Sequence, residues 1–236
     1  MNYQETLDFL YSQLPVFQRD GAKALDLKLE RTFQFMHYLS QPHKAFKSVH
    51  VAGTNGKGSV SHMTASVLQH AGYKVGLYTS PHLKDFRERI RIDGDCISED
   101  KVIEFVESHR SFIEKFKPSF FELTVAMAFD YFASKAVDIA VIEVGMGGRL
   151  DSTNVITPLL SVITNISYDH KAFLGDTLPK IAFEKAGIIK PGIPVIIGEY
   201  QEETFPVFQR QAKAMRSELI KAFEQKPPQW LLNSQD

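Results

Sequence analysis

Apolar residues recur at helical spacing over the first 46 residues, with Leu7, Leu10, Tyr11 and Leu14 on one stripe and Leu25, Leu29, Phe33, Met36 and Leu39 on another. Pro42 closes that region, and the apolar run Val49-His50-Val51-Ala52 predicts a first strand. A helix is expected from about Val60 to Gly72, which serves as its C′ glycine, and a second strand over 74–79. Residues 84–97 alternate charged and apolar side chains and turn at Asp93-Gly94-Asp95, the pattern of an extended flap or hairpin. Ser98 caps a helix whose buried stripe is Val102, Phe105, Val106, His109, Phe112, Ile113 and Phe116; His109 on that stripe is a packed residue rather than a catalytic one.

Beyond Pro118, residues 120–132 are apolar almost all round and predict a helix buried between layers. Residues 138–145 form a buried strand with an acid, Glu143, near its end, and 159–163 form another. Thr177 caps a further helix, 194–198 is expected to be the last strand, and 203–225 reads as one amphipathic helix. From Lys226 onward the chain reads as a tail.

Composition narrows the class without naming a chemistry. The 236 residues are 44% hydrophobic and 23% charged, as in an ordinary globular protein. Lys and Arg number 27 against 28 Asp and Glu, so no global field favours nucleic acid or an anionic membrane, and any attraction for phosphate is local. A single cysteine, Cys96, excludes an internal disulfide. No targeting segment or membrane span is apparent, and a cytoplasmic, monomeric protein is the simplest expectation.

The chemistry concentrates after the first strand. Gly53-Thr54-Asn55-Gly56-Lys57-Gly58-Ser59 joins a strand to a helix: glycines let backbone N–H groups converge on an anion, the helix N-terminus adds partial positive charge, and Lys57 adds a mobile full one. Val51 stands where a standard P-loop has its first glycine, and Gly58 separates Lys57 from Ser59. The bland alternative is a glycine-rich turn. Glu143 at a buried strand end beside such a loop favours a direct or water-mediated Mg²⁺ role over an acid reaching solvent. Gly145 to Asn154 forms a flexible polar loop at the same sheet edge.

GTNGKGS at 53–59, TSPHL at 79–83, EVGMGGRLDSTN at 143–154, DH at 169–170, LGDT at 174–177 and AFEKAGIIKPGIPV at 182–195 together resemble the folylpolyglutamate synthase/dihydrofolate synthase branch of the Mur-type ATP-dependent ligases. The resemblance implies an α/β fold, a mostly parallel sheet flanked by helices with a P-loop. It implies a helical segment over 1–46 belonging to the same domain, an ATP-binding domain over 47–225 and a tail over 226–236, with a C-terminal glutamate-binding domain absent. The activity implied is addition of glutamate to dihydropteroate or tetrahydrofolate through an acyl phosphate, with ATP and one or two Mg²⁺. This chain would be an incomplete form; the alternatives are an inactive Mg-ATP-binding module and, disfavoured by Gly58 and TSPHL, a muramyl-type peptide ligase.

Residue by residue, the resemblance assigns the nucleotide phosphates to Lys57 and to the backbone of Thr54, Asn55, Gly56, Lys57, Gly58 and Ser59. Ser59, Ser80, Glu143 and His170 become the Mg²⁺ ligands, His170 being alternatively a capping loop histidine. Lys185 corresponds to a lysine that the family carries as a carbamate, which requires a neutral amine and a pKa below the usual value of about 10.4. By spacing alone, Lys185 beside Glu184 would be a solvated surface charge. Phe121, Asp151 and Ser152 correspond to positions near the pterin pocket, with Arg87 or Arg89 as candidates to steer the substrate carboxylate.

Overall fold

The computed structural model describes residues 1–13 and 29–225. Leu14, Gln18, Arg19, Gly21, Leu25 and the tail from Lys226 lie outside the described residues.

The chain opens with α1 (Tyr3–Gln13) and α2 (Leu29–Tyr38), then enters β1 (Lys47–Ala52), α3 (Lys57–His70) and β2 (Val75–Tyr78). Gly72, at φ 90, follows the end of α3 as expected. The flap is a hairpin of β3 (Ile90–Ile92) and β4 (Asp95–Cys96), and β3 pairs antiparallel with β2. Helix α4 (Glu99–Phe116) is capped by Ser98, and α5 (Phe120–Ser134) by a Ser119/Glu122 capping box. Then come β5 (Ile139–Glu143), β6 (Leu160–Ile163), the short α6 (Lys171–Leu174), α7 (Leu178–Ala186) capped by Thr177, and β7 (Val195–Ile197).

The last stretch differs from the expectation of one long helix. Helix α8 spans Phe205–Ala214, the chain turns through Arg216 at φ 51, and Leu219–Lys221 forms β8, paired parallel with β7. The open edge of β7 captures Leu219 and Ile220, apolar residues that fit helical spacing equally well when read alone.

The eight strands lie in the order β4-β3-β2-β5-β1-β6-β7-β8. All pairings from β2 to β8 are parallel. β1 lies between β5 and β6, so the connections leaving their carboxyl ends diverge around it, which is where open α/β sheets form a ligand crevice.

Period-two alternation divides the strands between two faces. Val49, Val51, Val75, Leu77, Ile139 and Val141 pack with Ala65 of α3. On the opposite face α5 is buried nearly all round, as its composition predicts, against Tyr78, Ala140 and Ile142, with Leu10, Phe35 and Met36 from α1 and α2. Helices α7 and α8 cover β6 and β7 through Ile181, Ala182, Phe205 and Phe208.

Gly76 in β2 leaves room for the fully buried ring of Phe132, to which a Cβ there would stand at 3.0 Å. Phe132→Ala is expected to lower the unfolding free energy by about 3–5 kcal/mol in urea titrations, and a loss below about 1 kcal/mol would contradict this packing.

Candidate functional site

The carboxyl end of β1 runs into Gly53 at φ 145 and Gly56 at φ 81, the latter opening α3. A Cβ at Gly53 would stand 1.8 Å from Thr164 Oγ1, so only glycine permits this approach. The segment following β6 buttresses the loop: Thr164 Oγ1 donates to the Asn55 carbonyl at 2.6 Å, and Asn55 N–H donates to Asn165 Oδ1 at 2.9 Å. Thr54 Oγ1 exchanges hydrogen bonds with the backbone of Ser167. Thr164 and Asn165 were not candidates from sequence, because their contribution depends on β6 lying beside β1.

Two ammonium groups converge on one carbonyl. Lys57 Nζ donates to the carbonyls of Gly53 and Thr54, both at 3.1 Å, and Lys185 Nζ donates to the Gly53 carbonyl at 2.8 Å. Lys185 is only 2% exposed, which overturns the solvated surface charge that its spacing suggested. Burial, reinforced by the Lys57 charge, pushes its pKa down to about 8 against partial compensation from Asp169 and Asp151.

Glu143, at the end of β5, projects to the α3 side and is 4% exposed. Its carboxylate accepts the Ser80 N–H at 3.1 Å. Burial raises its pKa, opposed by that hydrogen bond and by the charges of Lys57 and Arg89. A Cβ at Gly58 would lie 3.7 and 3.8 Å from the two carboxylate oxygens, so the glycine inserted before Ser59 sits directly beside Glu143. Ser59 lies exposed in the first turn of α3. His170, in left-handed backbone at φ 45, opens α6, and its Nε2 is 3.5 Å from Asp169. Among the described residues no group of three or more His, Cys, Asp or Glu gathers to hold a metal.

The glycine-rich loop after β5 is packed rather than loose. Phe121 lies over Gly145, where a Cβ would meet its ring at 2.4 Å. Asp151 is 6% exposed; its carboxylate accepts from Thr153 N–H and Oγ1 and, at 2.8 Å, from Met146 N–H, so it organises the loop, with Ser152 next to it. Arg149 N–H donates to the Glu184 carbonyl at 2.7 Å, and its guanidinium pairs with the Glu184 carboxylate at 2.9 Å. That clamp joins the loop to α7 one residue before Lys185.

Of the two candidate arginines, Arg87 is already engaged by acidic partners. Its guanidinium pairs with Asp85 at 2.7 Å, approaches Glu99 at 3.6 Å and lies over the Tyr3 ring. Arg89 is 6% exposed and donates from Nε to His82 Nδ1 at 2.8 Å.

A strand, a glycine loop with its lysine and a helix at the sheet's switch point, with an acid on the neighbouring strand, match a known pattern along the chain. Residues 51–230 match the model of the Mur ligase middle domain. The chain belongs to the Mur ligase family. Within it, the chain is 41% identical over 218 residues to a dihydrofolate synthase/folylpolyglutamate synthase of Bacillus subtilis, a match covering 89% of this chain and 49% of that protein. A folylpolyglutamate synthase solved in complex with AMPPCP and folate superimposes with a TM-score of 0.87 at 39% identity, over 94% of this chain and 54% of that one. The Mycobacterium tuberculosis folylpolyglutamate synthase complexed with ADP gives a TM-score of 0.83 at 34% identity, over 93% and 50% of the two chains. This Mur ligase family chain spans about half the length of the curated relatives it matches. Among its described residues no helix is long and apolar enough to cross a membrane.

The depressed Lys185 pKa has a stability consequence. Below about pH 8 both folded and unfolded chains carry the charge and the burial penalty is complete; between about 8 and 10.5 the folded chain has lost a proton that the unfolded chain retains, so stability rises with pH. In CO₂-free buffer Lys185→Met is expected to be more stable than wild type below that window, with an advantage that shrinks by about 3 kcal/mol across it. Urea titrations of both proteins test this, and a difference independent of pH would contradict it.

Proposed function

We propose that this chain carries the nucleotide-binding and carboxylate-activating machinery of an ATP-dependent ligase that joins glutamate to dihydropteroate or tetrahydrofolate. The observation that carries the reading is the convergence of Lys57, Lys185 and Glu143 around the Gly53–Ser59 loop, in a chain resembling synthases solved with nucleotide and folate.

A carboxylate resists a nucleophile because it is negatively charged and has no good leaving group. In the proposed reaction a carboxylate oxygen bonds to the γ-phosphorus of ATP while the bond from that phosphorus to the bridging oxygen breaks, releasing ADP. The glutamate amine then attacks the acyl carbon, the bond from that carbon to the phosphate oxygen breaks with its electron pair leaving on inorganic phosphate, and the amine nitrogen gives up a proton. The chain's part is to gather charge and hold geometry. Backbone N–H groups from Thr54 to Ser59 cradle the phosphates, and Lys57 exchanges its carbonyl partners for the outer phosphates.

The residues around Glu143 fit magnesium. The carboxylate is buried, among the described residues no cationic side chain pairs with it, and Gly58 leaves its oxygens unobstructed. Glu143 with the hydroxyls of Ser59 and Ser80 supplies hard oxygen donors, the remaining positions falling to water and phosphate as magnesium prefers. His170, a nitrogen donor beside Asp169, is the least suited of the four ligands. Magnesium bound there would neutralise charge on the transferring phosphoryl group. Lys185, with its proton held weakly, is suited to carry a carbamate: CO₂ bonds to the neutral amine, a proton leaves, and a buried cation becomes an anion.

The ligase reading expects ADP release from Mg-ATP that depends on both glutamate and a pteroate or folate acceptor. Saturable AMPPCP binding without such release would leave a nucleotide-binding module, and no binding at all would overturn the reading. Lys57→Ala is expected to lower ATP affinity by about tenfold to a hundredfold with the fold retained, as measured by calorimetric titration. Unchanged affinity in a folded variant would remove Lys57 from the phosphate site.

A further inference from the structure

A cavity of about 410 Å³ opens between α6, α7 and α8, within the size range of pockets that hold a small organic ligand. Lys57, Lys185 and Glu143 do not line it, so it is a different place from the nucleotide crevice. Its floor is apolar: Leu174 of α6 and Val207 of α8 are both buried. Leu174 in turn supports the loop after β5, because a Cβ at Gly147 would stand 2.9 Å from its Cδ2. On the wall formed by α7 stands Phe183, a ring left 51% exposed on a helix that turns Ile181, Ala182, Lys185 and Ala186 inward. The Arg149 guanidinium carbon lies 5.7 Å from the centre of that ring.

Three charged side chains line the cavity, and two of them are engaged. Lys180 Nζ donates to Asp176 Oδ1 at 2.8 Å, and the Glu184 carboxylate pairs with Arg149 at 2.9 Å. The third, Arg210 on α8, is exposed and makes no ion pair or side-chain hydrogen bond among the described residues. The lining therefore carries one positive charge that no neighbouring acid offsets, and a guanidinium presents it as a flat fork of donors matched to a carboxylate. A doubly charged phosphate would bring a second negative charge beside Asp176 and Glu184, where like charges repel.

We propose that this cavity binds a planar aromatic ring carrying one carboxylate, with the ring against Phe183 and Val207 and the carboxylate on the Arg210 guanidinium. An aromatic ring covers the exposed face of Phe183 and removes apolar surface of Val207 and Leu174 from water. The carboxylate supplies the single negative charge that the lining lacks. Such an occupant lies against Glu184, the acid of the clamp that ties α7 to the loop after β5, one residue from Lys185. The site does not depend on the ligase reading, since it uses none of the groups assigned to nucleotide, metal or acceptor.

The test uses 2-naphthoate and 2-naphthamide, which share a ring and differ in charge, titrated into the ¹⁵N-labelled wild-type chain, Arg210→Gln and Phe183→Ala, with amide shifts reporting both affinity and place. Naphthoate is expected to shift the Leu174, Phe183 and Arg210 amides saturably and to bind at least about tenfold more tightly than naphthamide. Arg210→Gln, at an exposed position that leaves the core untouched, is expected to abolish that preference while naphthamide binding stays the same. Phe183→Ala is expected to weaken both compounds by a similar factor, about threefold to tenfold. Equal affinity of the two compounds for the wild-type chain, a preference for naphthoate that survives in Arg210→Gln, shifts confined to another part of the chain, or no saturable binding would each overturn the proposal. AMPPCP binding is unaffected by any of these outcomes, so the nucleotide site stands or falls separately.

Discussion

The carbonyl oxygen of Gly53 is where the structure is pinned. It directly follows β1, at a backbone angle only glycine tolerates beside Thr164, and it receives both Lys57 and Lys185. Bringing two ammonium groups to one oxygen is unfavourable unless the surrounding chain enforces it, and three separate segments do. Helix α3 presents Lys57 in its first turn, the 164–167 segment braces the loop, and the Arg149–Glu184 clamp ties α7 to the loop after β5 so that Lys185 is delivered to the same point.

The electrostatic result is a crevice with fixed, incompletely compensated positive charge. Lys57 and Lys185 rest on carbonyl oxygens rather than carboxylates, and Arg89 rests on an imidazole. Glu143 sits among them with its charge disfavoured by burial, while Asp151 is consumed by the loop it organises. Such a site is complementary to a polyanion accompanied by a hard cation, because the anion meets positive charges already desolvated and the cation meets the buried Glu143 carboxylate.

Much of this was legible in the chain. The strand–loop–helix unit is local, so the glycine spacing, Lys57 and Ser59 announce it without knowledge of the rest of the fold. The caps at Ser98 and Thr177, the all-round apolar α5 and the acid ending β5 are local too. What was not legible depends on distant segments meeting. Lys185 next to Glu184 looks like a surface pair until the clamp with Arg149 turns Glu184 one way and Lys185 inward. Arg87 and Arg89, two residues apart, are equivalent in sequence, and only the folded loop shows Asp85 taking one and leaving the other. Leu219 and Ile220 continue a helical stripe by spacing, yet the unfilled edge of β7 makes them a strand.

In the ligase reading Lys57 moves from carbonyl oxygens to phosphate when nucleotide binds. Lysine side-chain NMR of the chain, titrated with Mg-AMPPCP, reports this directly. A saturable shift of the Lys57 Cε–Nζ resonances is the predicted result. AMPPCP saturating the protein while the Lys57 resonances stay in place would contradict the account, because the nucleotide would then be held somewhere other than this loop.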